Sequence, residues 1–352
     1  MRHTLIDASP QLSATSVASP KAPLIDPLSR RISYLRLSIT DRCDLRCAYC
    51  MPERMSFLPR SDLLNFDELT SLVDAFIARG VTKLRVTGGE PLVRRDALSL
   101  LRRFGQRLSP HGGLSELTLT TNGTQLADHA QELADLGVRR INVSLDTLKP
   151  DIYSQLTRRD AFRQVMRGID AADDAGLHIK INTVALADVN EAEIPSLVSW
   201  AHARGFDISL IEVMPLGDGV AGRTESFVSL EAVRQKLEAG WTLKSLPDTT
   251  GGPSRYVRVV ETGGRLGFIS PLSHNFCASC NRLRVTCTGR LYACLGHEDG
   301  ADLREALRQD KSGERLNAIL DQVVAAKPDG HAFDVATLNT PSSPRTMSVT
   351  GG

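Results

Sequence analysis

The sequence predicts an α/β fold built on a parallel sheet, extended by a smaller α+β region. Residues 33–214 alternate short β-branched runs with longer amphipathic stretches, and strands interleaved with helices call for parallel pairing through right-handed crossovers. Beyond Pro215 the alternation stops and hairpin signals take over. The chain has 352 residues, 41% apolar and 24% charged, which is enough for two domains and a full core without disulfide staples.

In chain order, residues 1–30 are rich in Ser, Pro and Ala with no apolar period, the composition of a flexible extension. A first unit is expected over 31–218. Its strand runs are Tyr34–Ile39, Thr82–Thr87, Glu116–Thr121, Arg140–Leu145, Ile179–Leu186 and Asp207–Val213. Between the first two, Leu69, Leu72, Val73, Phe76 and Ile77 share one helical face; Asn65 and Glu68 form a capping-box pattern and Gly80 a stop. Similar helical stretches fall at 94–107, 124–137, 161–175 and 191–204. Six βα units are too few for a full (β/α)8 barrel, which leaves an open doubly wound sheet or an incomplete barrel. Either collects ligands at the C-terminal ends of its strands. A second unit, 219–335, begins with a helix at 229–239 and strands at 241–246, 255–260 and 265–269, with a turn at Thr262–Gly264. A second hairpin turns at Thr288–Gly289, helices follow at 301–308 and 314–325, and the tail 336–352 ends in Gly351-Gly352.

Charge and composition exclude several classes. With 42 basic and 41 acidic residues there is no global pull toward nucleic acid or anionic lipid. No apolar run is long enough to span a bilayer, and the N-terminus lacks the apolar core of a secretory signal, so a cytoplasmic location is expected. In that compartment clustered cysteines point to metal or catalysis rather than disulfides.

Cys43, Cys47 and Cys50 form C-x3-C-x2-C directly after the first strand. Three soft thiolates within eight residues suit zinc or an iron–sulfur cluster, and no Cys or His follows within twenty residues to complete a closed site. A [4Fe–4S] cubane on three cysteines keeps one iron open, whereas a structural zinc would need a distant fourth ligand. Cys277, Cys280 and Cys294 repeat the count. A hairpin over 281–293 returns Cys294 opposite about Leu283, beside the other two. Cys287 stands next to the turn, seven residues from either neighbour and about 20 Å away at strand spacing, so it is not expected to be a ligand. A zinc knuckle using all four cysteines, or His297, is the plain alternative. Arg282 and Arg284 share a strand face, and Arg36, Arg85 and Lys180 are planted in strands of the parallel sheet. Surface ion pairs would explain any one of them. Five around one mouth suggest a polyanionic substrate.

The C-x3-C-x2-C loop after a first barrel strand, followed by Gly88-Gly89-Glu90-Pro91 after the second, resembles the radical S-adenosylmethionine (SAM) superfamily. Within it, LRLSITDRCDLRCAYCMP, LRVTGGEPLVRRD, LTTNG, RRINVSLDTL, IEVMPLG, FCASCNRLRVT and the terminal Gly-Gly resemble the GTP-cyclising family that opens molybdenum cofactor biosynthesis. The resemblance implies an incomplete (β/α)6 TIM-like barrel with a C-terminal α+β domain carrying a second iron–sulfur cluster. It implies a [4Fe–4S] cluster with SAM on Cys43, Cys47 and Cys50, and contacts to SAM from Tyr49, Gly89, Ser144 and Met214. A second [4Fe–4S] cluster facing GTP would sit on Cys277, Cys280 and Cys294. The GTP site would comprise Arg36, Arg85, Thr120, Lys180, Arg282, Leu283 and Arg284, with catalytic roles for Arg36, Gly351 and Gly352. The implied reaction abstracts the 3′-hydrogen of GTP and joins C3′ to C8. The implied partners are a low-potential donor such as flavodoxin or ferredoxin and, for the product, cyclic pyranopterin monophosphate synthase; a homodimer is compatible. Two other classes remain: a radical SAM enzyme that modifies a peptide or RNA, and a zinc-stabilised nucleic-acid module, which would leave the LTTNG and GGEP loops without a role.

Overall fold

The computed structural model describes residues 21–109, 111, 113–217, 223–247, 252–273, 276–333, 338, 343 and 345–351. The first part of the chain runs β1 (Tyr34–Ser38), α1 (Phe66–Ala78), β2 (Lys83–Thr87), α2 (Ala97–Gly105), β3 (Glu116–Thr121), α3 (Leu126–Asp135), β4 (Arg140–Ser144), α4 (Pro150–Thr157), α5 (Phe162–Asp174), β5 (His178–Ala185), α6 (Ile194–Ala203) and β6 (Asp207–Glu212). The second runs α7 (Arg223–Ser226), α8 (Leu230–Glu238), β7 (Leu243–Ser245), β8 (Arg255–Val259), β9 (Arg265–Ile269), β10 (Arg282–Val285), β11 (Arg290–Tyr292), β12 (Gly300–Asp302), α9 (Arg304–Gln309), α10 (Glu314–Ala325) and α11 (Met347–Thr350). At the start of α1 the capping box is complete: Asn65 Oδ1 accepts the Glu68 N–H at 2.9 Å and the Glu68 carboxylate accepts the Asn65 N–H at 2.8 Å. Gly80, just past the C-cap, takes φ +89°, a left-handed value that glycine adopts without strain.

Strands β1 to β6 stand side by side in chain order, all parallel. A doubly wound sheet must reverse its order at a switch point. This one does not, so the order is that of a partial barrel. Along each strand the residues alternate faces. Leu35, Leu37, Leu84, Val86, Leu117, Leu119, Ile141, Val143, Ile179 and Ile181 are buried in the core, while Arg36, Arg85, Thr120, Asn142 and Lys180 line a common cavity. Residues from β1 to β6 and from β10 can share one cavity only if the sheet curls around it.

The C-terminal strands complete this sheet rather than form another. β9 pairs in parallel with β6, and β10 pairs in parallel with β1, so the second part of the chain extends both margins. The expected boundary at 218–219 falls outside the described residues, and the sheet runs continuously past it. Four short elements, α4, α7, β12 and α11, had no counterpart in the sequence reading. The expected flexible extension needs correction for residues 21–30; residues 1–20 lie outside the described residues. Leu24 is buried in the core and its N–H reaches the Arg79 carbonyl at 3.1 Å, and Arg30 is buried in an ion pair with Asp26. Their order comes from partners remote in sequence, which local composition does not register. No helix among the described residues is long and apolar enough to cross a membrane.

Candidate active site

The loop after β1 carries Cys43, Cys47 and Cys50, and three later loops hold its shape. Arg46 and Ala48 N–H groups donate to the Thr157 and Leu156 carbonyls at 2.9 Å, so α4 fixes one side. Gly89 and Glu90 N–H groups donate to the Thr40 and Arg42 carbonyls at 2.8 Å on the other. A Cβ at Gly88 would stand 2.6 Å from the Thr40 carbonyl oxygen, and one at Gly89 would strike the Arg42 carbonyl. The two backbones can meet only through glycine. From the LTTNG loop, Asn122 Nδ2 donates to Asp44 at 2.7 Å and contacts Cys43 Sγ at 3.7 Å. Glu90 accepts Thr121 Oγ1 at 2.9 Å and the Asn122 N–H at 2.6 Å, and its burial pushes the carboxyl up to about 8. Tyr49 donates its hydroxyl to Asp146 at 2.7 Å; burial raises Asp146 to about 6. Burial, reinforced by Glu90, pushes Cys43 up to about 12. Cys50 is pushed up to about 12 by burial although the Ser348 N–H hydrogen-bonds it.

The second trio lies at the open end of the β10–β11 hairpin. Arg284 pairs with Tyr292, which carries Cys294 to a place opposite Arg282, one residue from the expected register. Cys280 differs from Cys43, Cys47, Cys50, Cys277 and Cys287, which are all raised. Burial would raise it, but Arg282 and Lys327 overcome that and leave it at about 7. Cys287 is fully buried elsewhere, hydrogen-bonded to Ser38 near Asp41, and burial pushes it up to about 12. His297 Nε2 is engaged with the Gly330 carbonyl at 3.0 Å.

Cys50, Cys277, Cys280 and Cys294 line one cavity of about 240 Å3. Ladder pairs place Arg284, Arg36 and Arg85 in one row across β10, β1 and β2. Crowding shows in their acidities: burial and then Arg284 hold Arg36 well below the usual guanidinium range, and burial and then Arg282 lower Arg284 to about 10. Lys180 donates to the Tyr256 hydroxyl at 2.7 Å and is depressed by burial, with Arg85 and Arg140 adding to it. Like charges held together out of water favour an anion that would neutralise them. Thr120 Oγ1 sits 3.4 Å from Arg85 Nη1. The Leu283 side chain packs in the core on the strand face opposite Arg282 and Arg284, so a ligand contact there would run through its backbone. Gly351 enters the site. Its carbonyl accepts from Arg284 Nη1 at 3.0 Å, its φ is +77°, and a Cβ there would collide with Thr87. Gly352 lies outside the described residues.

The donor chemistry fits iron–sulfur clusters: two sets of three soft thiolates, the second lining the chamber and the first reaching it through Cys50. Members of each trio perturb one another electrostatically, Cys47 with Cys50 and Cys43, and Cys277 with Cys294 and Cys280. Among the described residues no three His, Cys, Asp or Glu are placed to share a single metal ion. The chamber also holds buried polar atoms with no partner, Arg85 Nε, Arg140 Nε, Asn142 Oδ1 and Asn182 Oδ1, as expected of a site that takes a polar ligand. Tyr49, Ser144 and Met214 line it, and Gly89 braces the cysteine loop. Sequence reasoning missed Tyr34, Arg140, Asn142, Asp146 and Asn182. The signal was present: polar residues at every second position of consecutive parallel strands mark the inner face of a polar barrel.

Comparison with known proteins agrees with this geometry. The Radical SAM superfamily model matches residues 37–201, and the Molybdenum Cofactor Synthesis C model matches residues 206–333. A GTP 3′,8-cyclase of Rhodopseudomonas palustris is 59% identical over 331 residues, covering 94% of this chain and 96% of that one. A GTP 3′,8-cyclase of Brucella canis is 55% identical over 342 residues, covering 97% and 99%. Among solved structures, Streptococcus suis SuiB shares the fold, with a TM-score of 0.57 at 17% identity over 81% of this chain and 66% of that one. With identity above half over nearly the whole of both sequences, the chain belongs to the GTP 3′,8-cyclase family of the radical SAM superfamily.

Proposed function

We propose that the chain converts GTP to (8S)-3′,8-cyclo-7,8-dihydroguanosine 5′-triphosphate, the first step of molybdenum cofactor biosynthesis. One observation carries this reading: Cys50 of the first trio, all three thiols of the second and a row of three arginines line a single chamber. Cys43, Cys47 and Cys50 would hold the cluster that, with SAM, supplies a 5′-deoxyadenosyl radical able to take the 3′-hydrogen of GTP. Cys277, Cys280 and Cys294 would hold the second cluster beside the guanine.

This chain's residues bind and orient. Tyr49, fixed by Asp146, offers a ring face for the adenine of SAM, with Ser144 and Met214 nearby. Arg36, Arg85, Lys180, Arg282 and Arg284 neutralise the triphosphate, which sets the ribose between the two trios. The Gly351 carbonyl orients Arg284 toward that ribose. Residues 31–218 serve as the radical SAM unit and 219–335 as the auxiliary unit. A flavodoxin- or ferredoxin-like carrier would deliver the electron in the cytoplasm, and cyclic pyranopterin monophosphate synthase would take the product. The test is anaerobic turnover with SAM and GTP deuterated at C3′. Deuterium in 5′-deoxyadenosine is the expected result; unlabelled 5′-deoxyadenosine formed equally with and without GTP would overturn the reading.

A further inference from the structure

Lys327 follows α10 in a loop remote from both cysteine motifs, and its side chain is buried at 6% exposure. A buried ammonium is costly unless its three N–H groups are used. Here its nitrogen donates to the Ala293 carbonyl at 2.6 Å and to the Arg282 carbonyl at 3.1 Å, and stands 3.6 Å from Cys280 Sγ. Ala293 precedes Cys294, and Arg282 follows Cys280 by two residues. One cation therefore ties together the backbones that carry two thiols of the trio while touching the sulfur of one. The next residues are also held. Arg30 donates to the Pro328 carbonyl at 2.7 Å and to the Cys277 carbonyl at 2.8 Å, so the turn that presents Lys327 is braced against the third thiol's backbone. Around Cys43, Cys47 and Cys50 the charged groups that act on the thiols are Asp44, Glu90 and Asp146, while Arg46 donates to the Cys43 carbonyl at 2.6 Å rather than to a sulfur.

We propose that Lys327 is a positioning residue for the second cluster: its ammonium hydrogen-bonds the Cys280 thiolate and sets how easily that cluster, and not the other, takes an electron. Hydrogen bonds to sulfur and nearby positive charge favour the reduced state. The inference rests on the two-cluster reading of the site, and its failure is separable from failure of that reading.

The test uses the full-length reconstituted protein with Lys327→Met, Lys327→Gln and Lys327→Arg. Iron is counted, and each cluster's reduction is followed by electron paramagnetic resonance during a potentiometric titration. The second cluster's midpoint should move to more negative potential, furthest in the Met variant, less in Gln and least in Arg, while the first cluster's midpoint stays where it was. Midpoints of the second cluster unchanged in both Met and Gln would overturn the proposal. So would loss of its iron in all three variants, Arg included, because the residue would then be a strut rather than a donor to sulfur. A wild-type protein that assembles only one cluster would instead defeat the site reading beneath it.

Discussion

The two cysteine trios use the same ligand and the same count, yet the protein surrounds them with opposite charge. Asp44, Glu90 and Asp146 face the first, and Arg282 and Lys327 face the second. Burial, reinforced by acidic neighbours, pushes Cys43 up to about 12, while Arg282 and Lys327 overcome burial and bring Cys280 to about 7. Negative surroundings disfavour an added electron, and positive surroundings with N–H···S bonds favour one. Spacing thus gathers the same ligands twice, and the residues around each trio set the charge its thiols meet.

The largest test of the contrast exchanges the thiols. Cys47→Ser should abolish 5′-deoxyadenosine formation, at least about a thousandfold, because a hard oxygen replaces the soft sulfur that iron requires. Cys294→Ser should leave SAM cleavage measurable while cyclised product disappears. Loss of both activities from Cys294→Ser, followed by chromatography of the two products, would erase the division of labour.

Next comes the tail that spans both trios, since Ser348 bonds Cys50 and Gly351 is held by Arg284. Gly351→Ala meets Thr87 and forces φ +77° on a residue with a Cβ. A cost of about 1–3 kcal/mol implies turnover slowed about 10- to 100-fold with iron content unchanged. Adding Thr87→Ser removes the colliding methyl and should restore part of the loss.

In iron-free protein the thiols themselves can be compared. At pH 8 a thiol near 7 is mostly thiolate and one near 12 almost wholly protonated, so iodoacetamide should label Cys280 at least about tenfold faster than Cys43 or Cys50. Its labelling should slow as pH falls through 7, as peptide mapping by mass spectrometry would show. The smallest effect is expected from Asp44→Asn. Asn122 and Thr124 both bond that carboxylate, at 2.7 and 2.6 Å, so loss of its charge should change SAM cleavage only about two- to fivefold and leave the second cluster's spectrum unmoved.

Much of this was legible in residue order. The first three thiols fall within eight residues, so any compact loop brings them together, and the capping box of α1 needs only Asn65 and Glu68 in adjacent turns. Arg36 and Arg85 were visible as charges inside strands. For Leu283 motif matching names a position without its face, and strand alternation turns that side chain into the core. Arg140, Asn142 and Asn182 became site residues only through the curl of the sheet.

Sequence alone determined the ligand inventory, the six-strand alternation and the glycines at the loop crossings, because each depends on neighbours a few residues apart. Tertiary structure alone decided what surrounds each thiol. Lys327 reaches Arg282 across 45 residues and Arg30 reaches Cys277 across 247. Contacts of that span depend on how the chain closes in space, and in a buried setting a few such charges are enough to lower the pKa of a thiol such as Cys280.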